Sequence, residues 1–394
     1  MRSSLGIIGG GPAGMMAAIR AAETLGDGSR VVLFDKNERL GRKIYLTGKG
    51  RCNLTNTRPW EEFATHLYPD KGFLRFAFRA FSNEAVIRFF EEELGVPTVT
   101  LQGRRVYPAS LVAGDVARAL ERRVQELGVD VRYGTTVTSL AELHDFAAVI
   151  VASGGKSYPV TGSTGDGYRL AQEAGHTVTT IFPSETALLP KDYDPALPGL
   201  EIKNAGLQLY VDRTLVQQEQ GDFTFTNDGL ESGIAYHLSR RAVWALINGQ
   251  RVDIVLDLKP ALTENQLVAR IGRELDRHAR LDRASLRSFL PDALIAPFLR
   301  AHPDLTLDKL PAALKSWSFR IIEYKGFERA VVTAGGVSLK EIVPKTMASR
   351  LRPGLYFCGE VLDLDGDTGG YNLQIAFSTG ALAGASAAKY LLSL

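Results

Sequence analysis

Two segments near opposite ends of this 394-residue chain share one build, a short apolar strand running into a glycine turn and then a helix. The first reads Leu5-Gly6-Ile7-Ile8-Gly9-Gly10-Gly11-Pro12-Ala13-Gly14 and continues through Met15 to Ala18. The second reads Gly354-Leu355-Tyr356-Phe357-Cys358-Gly359-Glu360 and leads to a glycine-rich turn over 366–373. Apolar strands this short belong inside a sheet, and a turn without side chains lets backbone amides and a helix N-terminus close on a phosphate. A chain with that device at both ends is expected to hold the two ends of one FAD molecule.

Residues 5–9 read as a strand, 12–25 as a helix and 30–35 as a second strand, which makes a βαβ unit with Gly9, Gly11, Pro12, Ala13 and Gly14 in its phosphate turn. Asp35 follows Gly14 by 21 residues, the distance at which a carboxylate reaches the adenosine ribose hydroxyls. The bland alternative is a tight turn that only packs helix on strand. Helical periodicity continues over 83–94 and 111–127, and strands are expected over 129–137 and 147–152, with Val137 near the adenine. The stretch Ala152-Ser153-Gly154-Gly155 then brings backbone to the cofactor, or forms a plain β-turn.

From about Lys191 the pattern changes to short β-rich pieces over 201–211, 222–226 and 251–258, which suit an inserted small barrel or sandwich. Pro260 leads into a helical block over 263–314, after which 319–322 and 329–332 return to strand character. The expected organisation is an α/β, Rossmann-like FAD-binding domain in two parts, 1–190 and 344–394. Between them lie a β insert in two parts, 191–260 and 316–343, and a helical insert, 261–315.

Between Asp35 and Arg51 stand the cations Lys36, Arg39, Arg42, Lys43, Lys49 and Arg51, against the acids Asp35 and Glu38, with Gly41, Gly48 and Gly50 interleaved. Such a loop is expected to neutralise the pyrophosphate, and Thr47, Cys52 and Asn53 join it as cofactor contacts; an ordinary solvated charge run is the alternative. At the far end Thr368-Gly369-Gly370-Tyr371-Asn372-Leu373-Gln374 opens a helix through Ala388. Its N-terminus, set at the pyrimidine end of the isoalloxazine, would stabilise the negative charge of the reduced ring. Glu360 occupies the position at which many flavoproteins place an Asp on the ribityl chain, with Gly359 beside it. Asp367 is expected as a further cofactor contact, while the acids of 363–367 as a group serve a cation or a hydrated loop; the loop is the preferred reading, and no metal is expected.

The cysteines Cys52 and Cys358 have no CxxC or Cys/His spacing, so neither a disulfide framework nor zinc is indicated, and a reducing cytoplasm fits. A first strand beginning at Leu5 leaves no room for a signal peptide, and the longest apolar run, 147–152, is far short of a bilayer span, so a soluble protein without a membrane partner is expected. A net charge of +2, from 46 basic and 44 acidic residues, decides nothing about an anionic partner. The sequence leaves the oligomeric state open.

The combination of Gly41-Arg42-Lys43, Thr47-Gly48-Lys49-Gly50-Arg51-Cys52-Asn53-Leu54-Thr55-Asn56, Val332-Thr333-Ala334-Gly335-Gly336-Val337, Lys345-Thr346-Met347, Cys358-Gly359-Glu360 and Gly369 through Gln374 resembles the signatures of the bacterial HI0933-like flavoprotein family. Agreement spans nearly the whole chain. The resemblance implies FAD in a two-part glutathione-reductase-like domain with a β-barrel and helical insertion. It also implies one of three activities: reduction of a uracil double bond in large-subunit ribosomal RNA, reduction of conjugated steroid double bonds in bile acids, or oxidation of small amines such as aminoacetone. One departure is Asn227, where the family commonly has a His, together with Ile234 in place of a Pro after Ser232-Gly233.

The leading expectation is an FAD-dependent reductase that moves hydride to an electron-poor carbon–carbon double bond, uridine of ribosomal RNA being the first case. Its proton donor is Cys52, which follows Arg51, although a buried inert thiol is an equal reading; Tyr371 and Lys49 are weaker candidates. Only one dinucleotide fingerprint is present, so NAD(P)H would visit the flavin transiently and dioxygen is the rival oxidant. Arg270, Arg273, Arg277 and Arg280 lie along one helical face, either to track RNA phosphates or as a solvated face balanced by Glu274, Asp276 and Asp282. The competing hypotheses are a small-amine oxidase with a small-molecule substrate and a flavin-bearing RNA-binding or assembly factor without turnover.

Overall fold

The computed structural model describes residues 4–278 and 282–394, with the side chains of residues 274–278 outside that description. The chain forms two compact units, Met1–Phe182 with Val331–Leu394, and Pro183–Ala330.

The first unit carries a seven-stranded sheet in the order Ile342–Val343, Ala348–Ser349, Leu355–Phe357, Ala148–Val151, Leu5–Ile8, Val31–Phe34, Asp130–Arg132. The last five of these are parallel, and the first two add an antiparallel edge. Strands from both chain termini thus flank Ala148–Val151 on its two sides. Every residue of Leu5–Ile8 and Val31–Phe34 is buried, as expected for central parallel strands covered on both faces, which is why they read as continuous rather than alternating apolar runs. The expected strand over 129–137 stops at Arg132, because Gly134 takes φ +62° and turns its amide to the Asn37 carbonyl.

The first helix, Pro12–Leu25, and the last, Tyr371–Leu392, pack backbone to backbone. A Cβ on Gly380 would lie 2.3 Å from the Ala13 carbonyl oxygen, and one on Gly384 would lie 2.2 Å from that of Ala17. The helical pattern over 83–94 becomes an α-helix, Asn83–Arg88, followed by a π turn, Phe89–Glu93. The wider turn lets the consecutive aromatics Phe89 and Phe90 both enter the core, at 1% and 0% exposure.

The second unit contains a closed six-stranded antiparallel barrel in the order Leu188–Pro190, Gly229–Leu230, Thr214–Thr226, Glu201–Val211, Val252–Asp257, Trp317–Tyr324, so the open choice between barrel and sandwich falls to the barrel. The helix Gly233–Ile247 breaks the β-rich pattern. Its N-cap is the Ser232 hydroxyl, which accepts from the Ala235 amide, and Ile234, Leu238, Ala242 and Ala245 form its buried stripe. The helical block consists of Glu264–His278, Arg283–Leu286, Asp292–Ala301 and Leu310–Lys315. Of the arginine stripe, Arg280 and the Arg277 side chain lie outside the described residues.

Candidate functional site

The glycines of the first turn have different physical causes. Gly9 has φ +103° and a Cβ there would lie 2.6 Å from the Ala152 carbonyl, while a Cβ on Gly14 would lie 1.8 Å from the Gly9 carbonyl. The first is imposed by the neighbouring chain at the end of strand Ala148–Val151, the second by the close approach of the helix to the turn before it. Gly11 differs, because its φ is an ordinary −74° and no atom lies within 4 Å of a Cβ built there. Its bare backbone leaves open the space in front of the helix start, where Pro12 takes the first position and no side chain caps the amides.

Asp35, at the carboxyl end of its strand, accepts from the Gly10 amide through Oδ2 (2.7 Å) and from the Asn37 amide and Nδ2 through Oδ1 (both 2.8 Å). An ionised carboxylate offers about four acceptor sites, so Oδ2 retains capacity for a hydroxyl. Val137 is buried, and the Ala152 amide is held by the Ile8 carbonyl. Ser153 Oγ and Asn53 Oδ1 are buried without a hydrogen-bond partner, a state folded proteins rarely leave uncompensated. Gly154 takes φ +73°, and Gly167 makes room for Ser153, since a Cβ there would lie 2.1 Å from Ser153 Oγ.

The contacts of Gly380 with Ala13 and of Gly384 with Ala17 share one offset, so the two helices run parallel. At that register the last helix begins eight residues earlier than the first, Tyr371 lying opposite position 4 where Pro12 lies opposite position 379. At 1.5 Å per residue the two N-termini are staggered by about 12 Å. Gly370 caps the last helix without a side-chain bond, so the amides of Tyr371, Asn372 and Leu373 are uncapped. Two positive helix ends separated in this way match a cofactor with a pyrophosphate at one point and a ring that gains negative charge further along.

The basic loop is spent largely on protein partners. Lys36 Nζ donates to Asp166 Oδ2 (2.5 Å) and Thr164 Oγ1 (2.6 Å), and Arg42 donates to Asn37 Oδ1 (2.7 Å). Arg39 lies over Tyr45 and Arg51 over Tyr107. Lys43 Nζ donates to Glu360 Oε2 (2.8 Å) and Ser157 Oγ (3.0 Å). Glu360 also accepts from the Thr333 amide (2.8 Å) and the Ser157 hydroxyl (3.0 Å). Burial works to raise the Glu360 carboxyl, but Lys43, Thr333 and Ser157 together outweigh it and hold the group below the usual Glu value.

The motifs around 47–56 and 369–374 are two sides of one joint. Thr55 Oγ1 donates to Gln374 Oε1 (2.6 Å), Asn56 Nδ2 donates to the Gly369 carbonyl (3.0 Å), and a Cβ on Gly370 would lie 2.3 Å from the Thr55 carbonyl. Asn372 clamps Gly366 with a bond in each direction (2.7 and 2.9 Å), the Gly359 amide donates to Thr379, and Thr47 Oγ1 donates to the Ile44 carbonyl. Gly48 and Gly50 hold the loop with φ +59° and +83°.

Among the candidate proton donors, Cys52 is fully buried, and burial pushes its thiol up to about 12 against the lowering effect of the Thr47 hydroxyl. Its backbone is left-handed, at φ +59°, and its side chain belongs to the hydrophobic core. The Tyr371 hydroxyl accepts from Arg58 Nε (2.9 Å), and burial raises this phenol although Arg58 opposes the shift. Lys49 is exposed. A residue that carried no signal in the sequence, His66, stands beside them. Its Nδ1 lies 2.8 Å from Asp367 Oδ2 and its ring stacks on Tyr371 at 4.4 Å. His66 and Asp367 are 301 positions apart, so no local motif could pair them. Among the described residues, no cluster of His, Cys, Asp or Glu could hold a metal ion, and no helix is long and apolar enough to cross a membrane.

A family model described as the HI0933-like protein Rossmann domain matches residues 3–386. The chain is 33% identical over 414 residues to a 3-dehydro-bile acid Δ(4,6)-reductase of Clostridium scindens, spanning 98% of this chain and 99% of that protein. It is 28% identical over 401 residues to a ribosomal RNA dihydrouridine synthase of Escherichia coli, spanning 95% of each. In fold it is similar to a 3-ketosteroid Δ1-dehydrogenase of Sterolibacterium denitrificans, with a TM-score of 0.52 and 13% identity over 98% of this chain and 99% of that one.

Proposed function

The chain belongs to the HI0933-like family of flavin oxidoreductases, and from that membership we propose that it reduces a carbon–carbon double bond conjugated to a carbonyl group. The observation that carries the cofactor side of this reading is the pair of uncapped, staggered helix N-termini with the unsatisfied Ser153 and Asn53 in the same unit. FAD bound there supplies, once reduced, the hydride. The amides of Gly11, Ala13 and Gly14 would hold its pyrophosphate and Asp35 its ribose hydroxyls. Ser153 and Asn53, buried without partners, would meet polar atoms of the cofactor, and the start of the last helix would steady negative charge at the pyrimidine end. The pair Lys43 and Glu360 ties the basic loop to the turn Gly359–Val361 that follows the strand Leu355–Phe357.

The leading substrate is uridine in large-subunit ribosomal RNA, by analogy with the dihydrouridine synthases. NAD(P)H visits transiently as electron donor, and the setting is cytoplasmic. This reading does not lean on the arginine stripe, since Arg270 donates to the Ser288 carbonyl and lies over the Phe289 ring. A second reading, a small conjugated ketone, is favoured by the 33% identity to the bile-acid reductase. Deleting the gene and mapping dihydrouridine in the cell's ribosomal RNA decides between them. Loss of one dihydrouridine supports the first. An unchanged map, together with reoxidation of the reduced enzyme by a 3-oxo-4,6-diene steroid, supports the second, and failure of both sinks the reaction class.

A further inference from the structure

The geometry points to His66 as the catalytic group that delivers the proton to the substrate's α carbon, with Asp367 as the residue that positions its ring; the step rests on the conjugated-double-bond reading above. Asp367 as a carboxylate can only accept, so the 2.8 Å contact fixes the hydrogen on His66 Nδ1 and leaves Nε2 to carry and release the transferred proton. Nε2 has no hydrogen-bond partner among the described residues, and the side chain is 27% exposed against 11% for Asp367. The near-parallel stack on Tyr371, with planes 25° apart, holds the ring in one orientation.

The imidazole also stands at the turn that matters. The Asp367 amide donates to the His66 carbonyl (3.0 Å), and Leu67–Tyr68 pairs antiparallel with Asp365–Gly366, so His66 borders the turn leading into the last helix. That helix start is the one assigned above to the pyrimidine end of the flavin. The titratable and charged groups around the imidazole are Asp367 on Nδ1, Tyr371 under the ring, Arg58 on the Tyr371 hydroxyl, and Arg105 close enough to Tyr371 to influence it. Burial raises both the Cys52 thiol and the Tyr371 phenol, whereas His66 presents on a part-exposed side chain a nitrogen without a hydrogen-bond partner among the described residues.

The step balances as follows. A hydride, carrying the electron pair lost by the reduced flavin, bonds to the β carbon, and the π electrons of the double bond move to give an enolate. The Nε2–H bond of the imidazolium then breaks and its proton bonds to the α carbon, leaving a neutral imidazole that water reprotonates. The substrate gains one hydride and one proton.

The test uses full-length holoenzyme with H66Q and D367N. In ¹⁵N spectra the neutral wild-type imidazole is expected as the Nδ1–H tautomer, a preference that D367N is expected to weaken. Both variants should keep wild-type flavin content and reduction by dithionite. Reoxidation of the dithionite-reduced enzyme by uridine-containing ribosomal RNA or by a 3-oxo-4,6-diene steroid should fall about 100-fold or more in H66Q. D367N should lose less. The proposal is overturned if H66Q, with normal flavin content, reoxidises within threefold of wild type, or if the tautomer is Nε2–H. If wild type itself is reoxidised by neither probe, the reaction class fails and takes the proton step with it, a result distinct from a tolerant H66Q.

Discussion

Gly11→Ala separates the demands of the cofactor from those of the fold. At φ −74° and ψ −177° alanine is permitted, and its methyl would meet no protein atom within 4 Å. Replacing Gly by Ala at a helix N-cap costs roughly 0.5–1 kcal/mol, and the lower entropy of the unfolded alanine chain returns about 0.4–1 kcal/mol. The apoprotein should therefore melt within about 3 °C of wild type. The methyl does project into the space before the helix start, where a pyrophosphate must approach the amides. Losing one or two charge-assisted hydrogen bonds there costs about 2–4 kcal/mol, or roughly 30- to 1,000-fold in FAD affinity. Gly14→Ala is the counterpart, because its Cβ would lie 1.8 Å from the Gly9 carbonyl and neither backbone can swing aside. Overpacking of that kind costs about 3 kcal/mol, a loss of roughly 6–12 °C. Thermal melts of stripped protein and FAD titration by fluorescence quenching measure both quantities. The reasoning is refuted if Gly11→Ala binds FAD as tightly as wild type, or if it destabilises the apoprotein as much as Gly14→Ala does.

Lys43→Met leaves Glu360 without its ammonium partner; because the two side chains are 20% and 23% exposed, the expected loss at pH 7 is about 2–4 kcal/mol, somewhat less than for a fully buried pair. Glu360 is held below its ordinary value of 4.5, so its contribution is full above that pH and fades as pH falls through the lower folded value, and the gap between wild type and variant in urea unfolding should narrow in acid. Burial lowers the His176 imidazole from 6.5 although Glu341 opposes it, so as pH drops through 6.5 the unfolded chain takes the proton first. Native stability should decline below pH 6.5 by up to about 1.4 kcal/mol per unit, a slope that urea midpoints should show flattened in His176→Asn. Cys52 and Cys358 are both fully buried, so a thiol reagent should titrate neither in the native protein and both after unfolding, and Cys52→Ala should retain substrate reduction within about threefold.

The parts of the fold that were legible in the sequence are those whose cause is local. Gly14 answers to the Gly9 carbonyl within the same βαβ unit, and Asp35 stands at a distance set by one helix and one strand, whereas the contact that imposes Gly9 comes from Ala152, far along the chain. The joint between Thr55 and Gln374, the pair Lys43 and Glu360, and the pair His66 and Asp367 span 319, 317 and 301 positions, so composition and periodicity carried no trace of them. The cations of 36–51 suggested a phosphate clamp, yet Lys36, Lys43 and Arg51 meet Asp166, Glu360 and Tyr107 from elsewhere in the chain, and Arg39 and Arg42 meet Tyr45 and Asn37 within the loop itself. Arg51 beside Cys52 suggested an activated thiol, but the thiol is fully buried and burial raises it. Helix Gly233–Ile247 escaped notice because strands flank it and glycine opens it.

The flavin content of the purified full-length chain, measured after saturation with FAD and removal of the excess, tests the central claim most directly. Two staggered helix ends in one unit predict one tightly bound FAD per chain. A colourless protein, or binding at two independent sites, would contradict it.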